Sequence, residues 1–140
     1  MTETRIAADL AALDAVARLL AAGLRPGDVV ALSGPLGAGK TAFVAALVRA
    51  LHGDDATVSS PTFVLRQRYD GTPPVEHLDL YRLDDPADAI EAGLADAFDG
   101  DAIAVVEWPE RAPGLLPPAT IRIAIAGHGN GARILDIVRP

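Results

Sequence analysis

The chain has 140 residues, half of them apolar, a formal net charge of −7 and no cysteine. That length is one domain with room for a real core, and the missing cysteines exclude disulfides, thiolate metal sites and cysteine nucleophiles. No apolar run reaches the roughly 18 residues of a membrane span, and the polar, mixed-charge residues 1–9 do not read as a signal peptide, so a cytoplasmic protein is expected.

Along the chain, strands and helices alternate. Leu10, Leu13, Val16, Ala17, Leu20 and Ala21 recur at helical spacing. Arg25-Pro26-Gly27-Asp28 is a turn, and Val29-Val30-Ala31-Leu32 is a short apolar run suited to a buried strand. A glycine loop follows, then a predicted helix over residues 41–51 with Phe43, Val44, Leu47 and Val48 on its apolar side. Residues 63–69 alternate as a strand does, and residues 75–80 read as another. Asp84-Asp85-Pro86 opens a predicted helix to about Phe98. The run 102–106 is a second buried-type strand that ends at Glu107-Trp108-Pro109. Ile121, Ile123 and Ile125 alternate with polar or small residues, and Ile134, Leu135, Ile137 and Val138 form a last apolar stretch. Gly127-His128-Gly129-Asn130-Gly131 between them predicts a hairpin. The fold class is therefore α/β: a single domain with a mostly parallel central sheet and a C-terminal β-hairpin.

The glycine loop carries the chemistry. Gly34, Gly39, Lys40 and Thr41 fill every specified position of G-x-x-x-x-G-K-[ST], with Gly37 and Ala38 between them and Ala42 just after. Glycines let backbone N–H groups approach phosphate oxygens, and the helix that starts near Lys40 adds the partial positive charge of its N-terminus. Lys40 is the chain's one lysine beside eleven arginines. As a point charge it reaches the outer phosphates, while the Thr41 hydroxyl suits Mg²⁺, a hard ion with oxygen ligands. A strand before the loop and a helix after it supply the context this motif requires. The expected ligand is a nucleoside triphosphate, Mg-ATP in the first instance, in a P-loop NTPase fold.

Hydrolysis also needs an acid on the metal side and a group that places water. Asp79 and Glu107 each close a predicted strand, and open α/β sheets bind ligands beyond the carboxyl ends of their strands. Glu107 therefore fits an acid facing the metal; a solvated acid at a strand end is the bland alternative for either residue. His77 shares a strand face with Asp79 and reads as structural. Ser60 and Thr62, in Ser59-Ser60-Pro61-Thr62-Phe63, offer hydroxyls where related NTPases sense the terminal phosphate; an ordinary Ser-Pro turn fits the same residues. The scattered arginines and acidic balance argue against autonomous RNA or DNA binding.

Together, Leu36-Gly37-Ala38-Gly39-Lys40-Thr41, Ser60-Pro61-Thr62-Phe63, His77-Leu78-Asp79-Leu80-Tyr81-Arg82-Leu83 and Glu107-Trp108-Pro109-Glu110 resemble the TsaE (YjeE) family over nearly the whole chain. The first motif is shared with many NTPases; the later ones are far more specific. The resemblance implies a small ATPase that binds ATP and Mg²⁺, hydrolyses ATP weakly alone, and acts with the TsaB–TsaD pair in threonylcarbamoyladenosine formation on tRNA. The resemblance implies contact with tRNA only through that complex, and the lack of a long apolar run predicts no membrane role. The resemblance further implies Thr41 and Glu107 as Mg²⁺ contacts, Asp79 as the catalytic or water-positioning acid, and Thr62 as a switch-like hydroxyl. Trp108 would support the site or the partner surface, and Arg133 would touch nucleotide. Pro35 and Ala42 depart from the Asp and Thr of many members, but the Thr41 hydroxyl and the later loop amides remain. Two other classes share part of this pattern. A small-molecule kinase needs an arginine-rich lid, for which 140 residues leave little room. A nucleotide-dependent binding module would change partner affinity between ATP and ADP states.

Overall fold

In the computed structural model, which describes residues 1–58, 65–127, 129 and 131–140, seven strands and three α-helices follow one another. They are β1 (Thr2–Ala7), α1 (Leu10–Ala21), β2 (Val29–Ser33), α2 (Lys40–His52), β3 (Arg66–Tyr69), β4 (Val75–Asp79), α3 (Pro86–Glu91), β5 (Ile103–Glu107), β6 (Ile121–Ala126) and β7 (Arg133–Val138). The seven strands join one sheet in the order β1-β7-β6-β2-β5-β4-β3. Its centre is parallel, with β2 between β5 and β6, and β4 beside β5. Both flanks are antiparallel: β1 on β7, β7 on β6, and β3 on β4. The expected mostly parallel sheet is thus parallel only in part. Parallel neighbours need a long crossover, whereas the C-terminal strands are joined by a short hairpin and must run antiparallel.

Side-chain alternation explains the three layers. In β2 and β5, Val30, Leu32 and Val105 point into a core shared with α1 and α2. Val29, Ala104 and Val106, with Leu78 of β4, point into a second core under α3 and a 3-10 turn at Leu94–Phe98. Strands covered on both faces have no polar side, which is why both read as unbroken apolar runs. In β6 and β7, Ile123, Ile125, Leu135 and Ile137 are buried while Arg122, Ala124, Asp136 and Val138 are exposed, as expected for strands covered on one face.

Local signals set the helix limits. The Asp9 carboxylate caps α1 by accepting from the Ala12 N–H at 2.9 Å. Asp85 caps α3 through the Ala87 N–H at 2.9 Å, with Pro86 at the first helical position. The expected single helix from 84 to 98 is two pieces, because Gly93 takes φ +69° and the chain restarts as the 3-10 turn. Residues 2–7, with no element expected, form β1: all but Ala7 are at least partly exposed, and the strand exists by pairing with β7. Ser59 to Val64 lie outside the described residues, so the expected strand from 63 is observed from Arg66. Among the described residues, no helix is long and apolar enough to cross a membrane.

Because β4, β5 and β2 run parallel, their carboxyl ends lie on one edge. Asp79 is the register partner of Glu107, and Glu107 of Leu32, one residue before Ser33 ends β2 and leads into the glycine loop.

Candidate functional site

The glycine loop, residues 34–41, turns the chain from β2 into α2. Gly34 has φ +150°, and a Cβ there would run into the Ile125 carbonyl of β6. Gly39 caps α2 at φ +103°, where a Cβ would lie 2.9 Å from the Leu13 side chain of α1. The loop is therefore wedged between β6 and α1, and glycine is required at both points. A helix start leaves its first N–H groups without intrahelical partners, so the turn presents donors and a positive dipole end to an anion.

Lys40 opens α2 yet is only 5% exposed. Its ammonium donates to the Gly34 carbonyl at 2.5 Å and the Pro35 carbonyl at 2.9 Å, and stands 4.3 Å above the Trp108 ring. Three N–H groups thus meet two carbonyls and one π face. Burial lowers the Lys40 pKa below the usual lysine range, and Glu107, Glu110 and Asp79 oppose that shift by attraction. Trp108 reaches this position through a strained backbone, φ +58°, the one positive-φ non-glycine among the described residues. Tyr81 leans on Trp108 with ring centroids 4.9 Å apart, and the Arg111 guanidinium lies 5.6 Å from the Tyr81 ring.

Opposite the lysine stands the acid pair. The Thr41 hydroxyl donates to Glu107 Oε1 at 3.3 Å. Glu107 Oε2 lies 2.6 Å from Nε2 of His77, and His77 and Glu107 are both buried. Asp79 accepts from the Tyr81 N–H at 3.1 Å. Burial raises the Asp79 pKa first; the Tyr81 bond lowers it, Glu107 raises it, and His77 and Lys40 lower it. Thr41 Oγ1 and Glu107 Oε1 together offer a divalent cation two hard oxygens. Among the described residues no group of three or more acidic, His or Cys side chains is placed to hold a metal, in this cleft or elsewhere.

These groups line a cleft of about 560 Å³, within the range of small-molecule sites. Of the residues singled out in the sequence, Gly37, Gly39, Lys40, Thr41, Ala42, Asp79, Glu107, Trp108 and Arg133 face it. Gly34 and the fully buried Ala38 belong to the loop but not to the cleft lining. Arg133, expected at a ligand, is 2% exposed and anchored to backbone. It donates to the Ala38 carbonyl at 2.7 Å, to Gly131 at 2.6 Å and to Gly129 at 2.7 Å. Thr62 and Ser60 lie outside the described residues. The structure adds Leu10, Leu36, Tyr81 and Gly129 to the lining and His77 to the acid pair. Leu36 carried a signal as part of the glycine loop, and Tyr81 and His77 by their closeness in sequence to Asp79.

The family model described as threonylcarbamoyl adenosine biosynthesis protein TsaE matches residues 7–135 of the chain. The tRNA threonylcarbamoyladenosine biosynthesis protein TsaE of Bacillus subtilis (strain 168) is 39% identical over 120 residues, 85% of this chain and 74% of the relative. The protein of the same name from Rickettsia conorii (strain ATCC VR-613 / Malish 7) is 38% identical over 124 residues, 88% of this chain and 70% of the relative. A crystal structure of YdiB from Bacillus subtilis is similar at a TM-score of 0.82 and 29% identity, over 99% of this chain and 86% of that one.

Proposed function

The chain belongs to the TsaE family, and on that premise we propose that it serves threonylcarbamoyladenosine formation on tRNA, in the cytoplasm, as a Mg²⁺-dependent ATPase acting with TsaB and TsaD. The observation that carries the ATPase reading is the convergence of Lys40, Thr41, Asp79 and Glu107 on one cleft at the carboxyl ends of three parallel strands.

The residues fit both groups. The loop glycines, the α2 N-terminus and Lys40 suit a triphosphate. Thr41 and Glu107 offer two oxygen ligands, and among the described residues no group of three or more acidic, His or Cys side chains is placed to hold a metal, which suits Mg²⁺, an ion that keeps several waters and takes phosphate oxygens. When bound, Mg²⁺ neutralises charge on the phosphate oxygens.

Lys40 exchanges the Gly34 and Pro35 carbonyls for the outer phosphates, a swap favoured because a desolvated ammonium gains a full anion. Trp108 holds the ammonium at the loop in the meantime and walls the cleft against water. Asp79, whose carboxyl is pushed up by burial, is suited to hold the attacking water and take its proton. Water oxygen bonds to the γ-phosphorus, the bond to the ADP oxygen breaks, and phosphate leaves. Arg133 orients the loop from behind and flanks the nucleotide. Thr62 keeps its switch-like role on sequence grounds.

The test is phosphate release from ATP across a Mg²⁺ titration, with and without TsaB and TsaD, beside a pull-down of both partners in ATP, ADP and no nucleotide. Mg²⁺-dependent release that rises with partners supports the reading. Transfer of phosphate to a small acceptor would replace it with the kinase, and binding to partners that ignores the nucleotide would remove the coupling.

A further inference from the structure

His77 has no role in the chemistry above, yet its place in the fold is hard to explain without one. It sits on β4 with side chain fully buried, on the same sheet face as Asp79 and Glu107. An aliphatic residue would fill that position without burying a polar ring. Its Nε2 is 2.6 Å from Glu107 Oε2, while Nδ1 is buried with no hydrogen-bond partner among the described residues. Among the described residues the ring thus has a single hydrogen-bond partner. One nitrogen bonds, and it bonds to the acid of the candidate metal site.

Glu107 is divided between two neighbours. Oε1 faces the Thr41 hydroxyl at 3.3 Å, and Oε2 faces His77. A carboxylate held at one oxygen by a short bond to a buried ring cannot swing its other oxygen freely. We propose that His77 is a positioning residue, which locks Oε2 so that Oε1 stays beside Thr41 as a ready cation ligand. The inference rests on the Mg²⁺ reading of Thr41 and Glu107. The bonding pattern assigns the proton to Nε2 and leaves Nδ1 bare, since a proton on Nδ1 would be a buried donor with no acceptor. Partners that orient a ligating group in this way typically change metal affinity about 10- to 100-fold when removed.

Three variants separate positioning from packing. His77→Leu keeps an apolar filling but has no donor. His77→Gln places an amide N–H near the Nε2 position. His77→Asn carries the same amide one carbon short, out of reach of Oε2. Each is followed by thermal unfolding and by calorimetric binding of ADP with and without Mg²⁺. The Leu and Asn variants should bind ADP normally without Mg²⁺ but need about 10- to 100-fold more Mg²⁺ for half-saturation, and Gln should restore most of that loss. In the free wild-type protein, nitrogen NMR of His77 should show the Nε2-protonated tautomer, with its Nε2 proton shift lost in Glu107→Ala. Wild-type Mg²⁺ half-saturation in the Leu or Asn variant overturns the proposal, and so does a Gln variant no better than Asn. Should the Leu variant not fold, the Gln and Asn pair decides. A wild-type protein indifferent to Mg²⁺ overturns the metal reading and this role with it. A Mg²⁺ effect equal in wild type and variants overturns only the role of His77.

Discussion

The Lys40 ammonium has exchanged water for two carbonyls and an indole face, and so stands desolvated at the loop it would serve. Lys40→Ala should therefore cost nucleotide binding about 2–3 kcal/mol, the worth of hydrogen bonds to a charged group, or roughly 30- to 150-fold in affinity. Titration calorimetry with ATP measures this directly, and wild-type affinity would remove the lysine from the site. Asp79 shows the opposite balance between fold and function. Burial raises its pKa, so the folded state binds the proton more tightly than the unfolded state and the ionised carboxylate carries a cost. That cost is absent below the unfolded value of about 3.9, appears as pH rises through the folded value, and is complete above it. Asp79→Asn should then be more stable than wild type near neutral pH by on the order of 1 kcal/mol, with little or no hydrolysis. The gap should close as pH falls toward about 4. Thermal unfolding of both proteins from acid to neutral pH checks the sign, and a gap that widens in acid would contradict it.

Scaled up to elements, much was legible in the sequence, for identifiable reasons. β2, β5 and α2 announce themselves because each is buried by its own residues, and the motif between β2 and α2 admits few other structures. β1 was silent because its side chains bury almost nothing; the strand is specified by the edge of β7, far along the chain. The break at Gly93 was missed because the apolar spacing continues through Leu94 and Ala97, both buried, while the backbone does not continue as helix. The tie between His77 and Glu107 is not legible locally, because the two are thirty residues apart and only the β4–β5 register brings them together. Arg133 faces the cleft, and its bonds to the Ala38, Gly129 and Gly131 carbonyls also tie the first residue of β7 to the glycine loop and to the β6–β7 turn, a link between distant residues that no local pattern shows. The hairpin is thus a buttress for the loop. Arg133→Lys keeps the charge but loses the planar fork that spans those carbonyls. It should destabilise the fold by about 1–3 kcal/mol and weaken nucleotide binding as well. Urea unfolding and calorimetry on the same variant test both; a drop in affinity at unchanged stability would instead favour direct contact with the ligand.

For the whole molecule, charge is the governing property. A formal charge of −7 repels a polyanion, and many of the cations are already committed. Arg66 and Arg68 bind the buried Glu76 carboxylate, and Arg68 also reaches Asp101. Arg18 is held by Asp14 and Asp54, and Arg5 and Arg139 by Glu3. The exposed pairs contribute little stability, but each takes an arginine out of any phosphate-binding stripe. A protein that served tRNA by gripping it would present such a stripe and show affinity that falls steeply with salt. This one should bind bare tRNA weakly even at low salt, with little affinity left at about 150 mM. Gel shifts over a salt series with a bulk tRNA probe check this. Nanomolar binding at the upper end would mean that the fold gathers its arginines in a way these ion pairs do not suggest. Weak binding that becomes tight when TsaB and TsaD are added would instead place the RNA contact on the partners, which is the arrangement proposed for this chain.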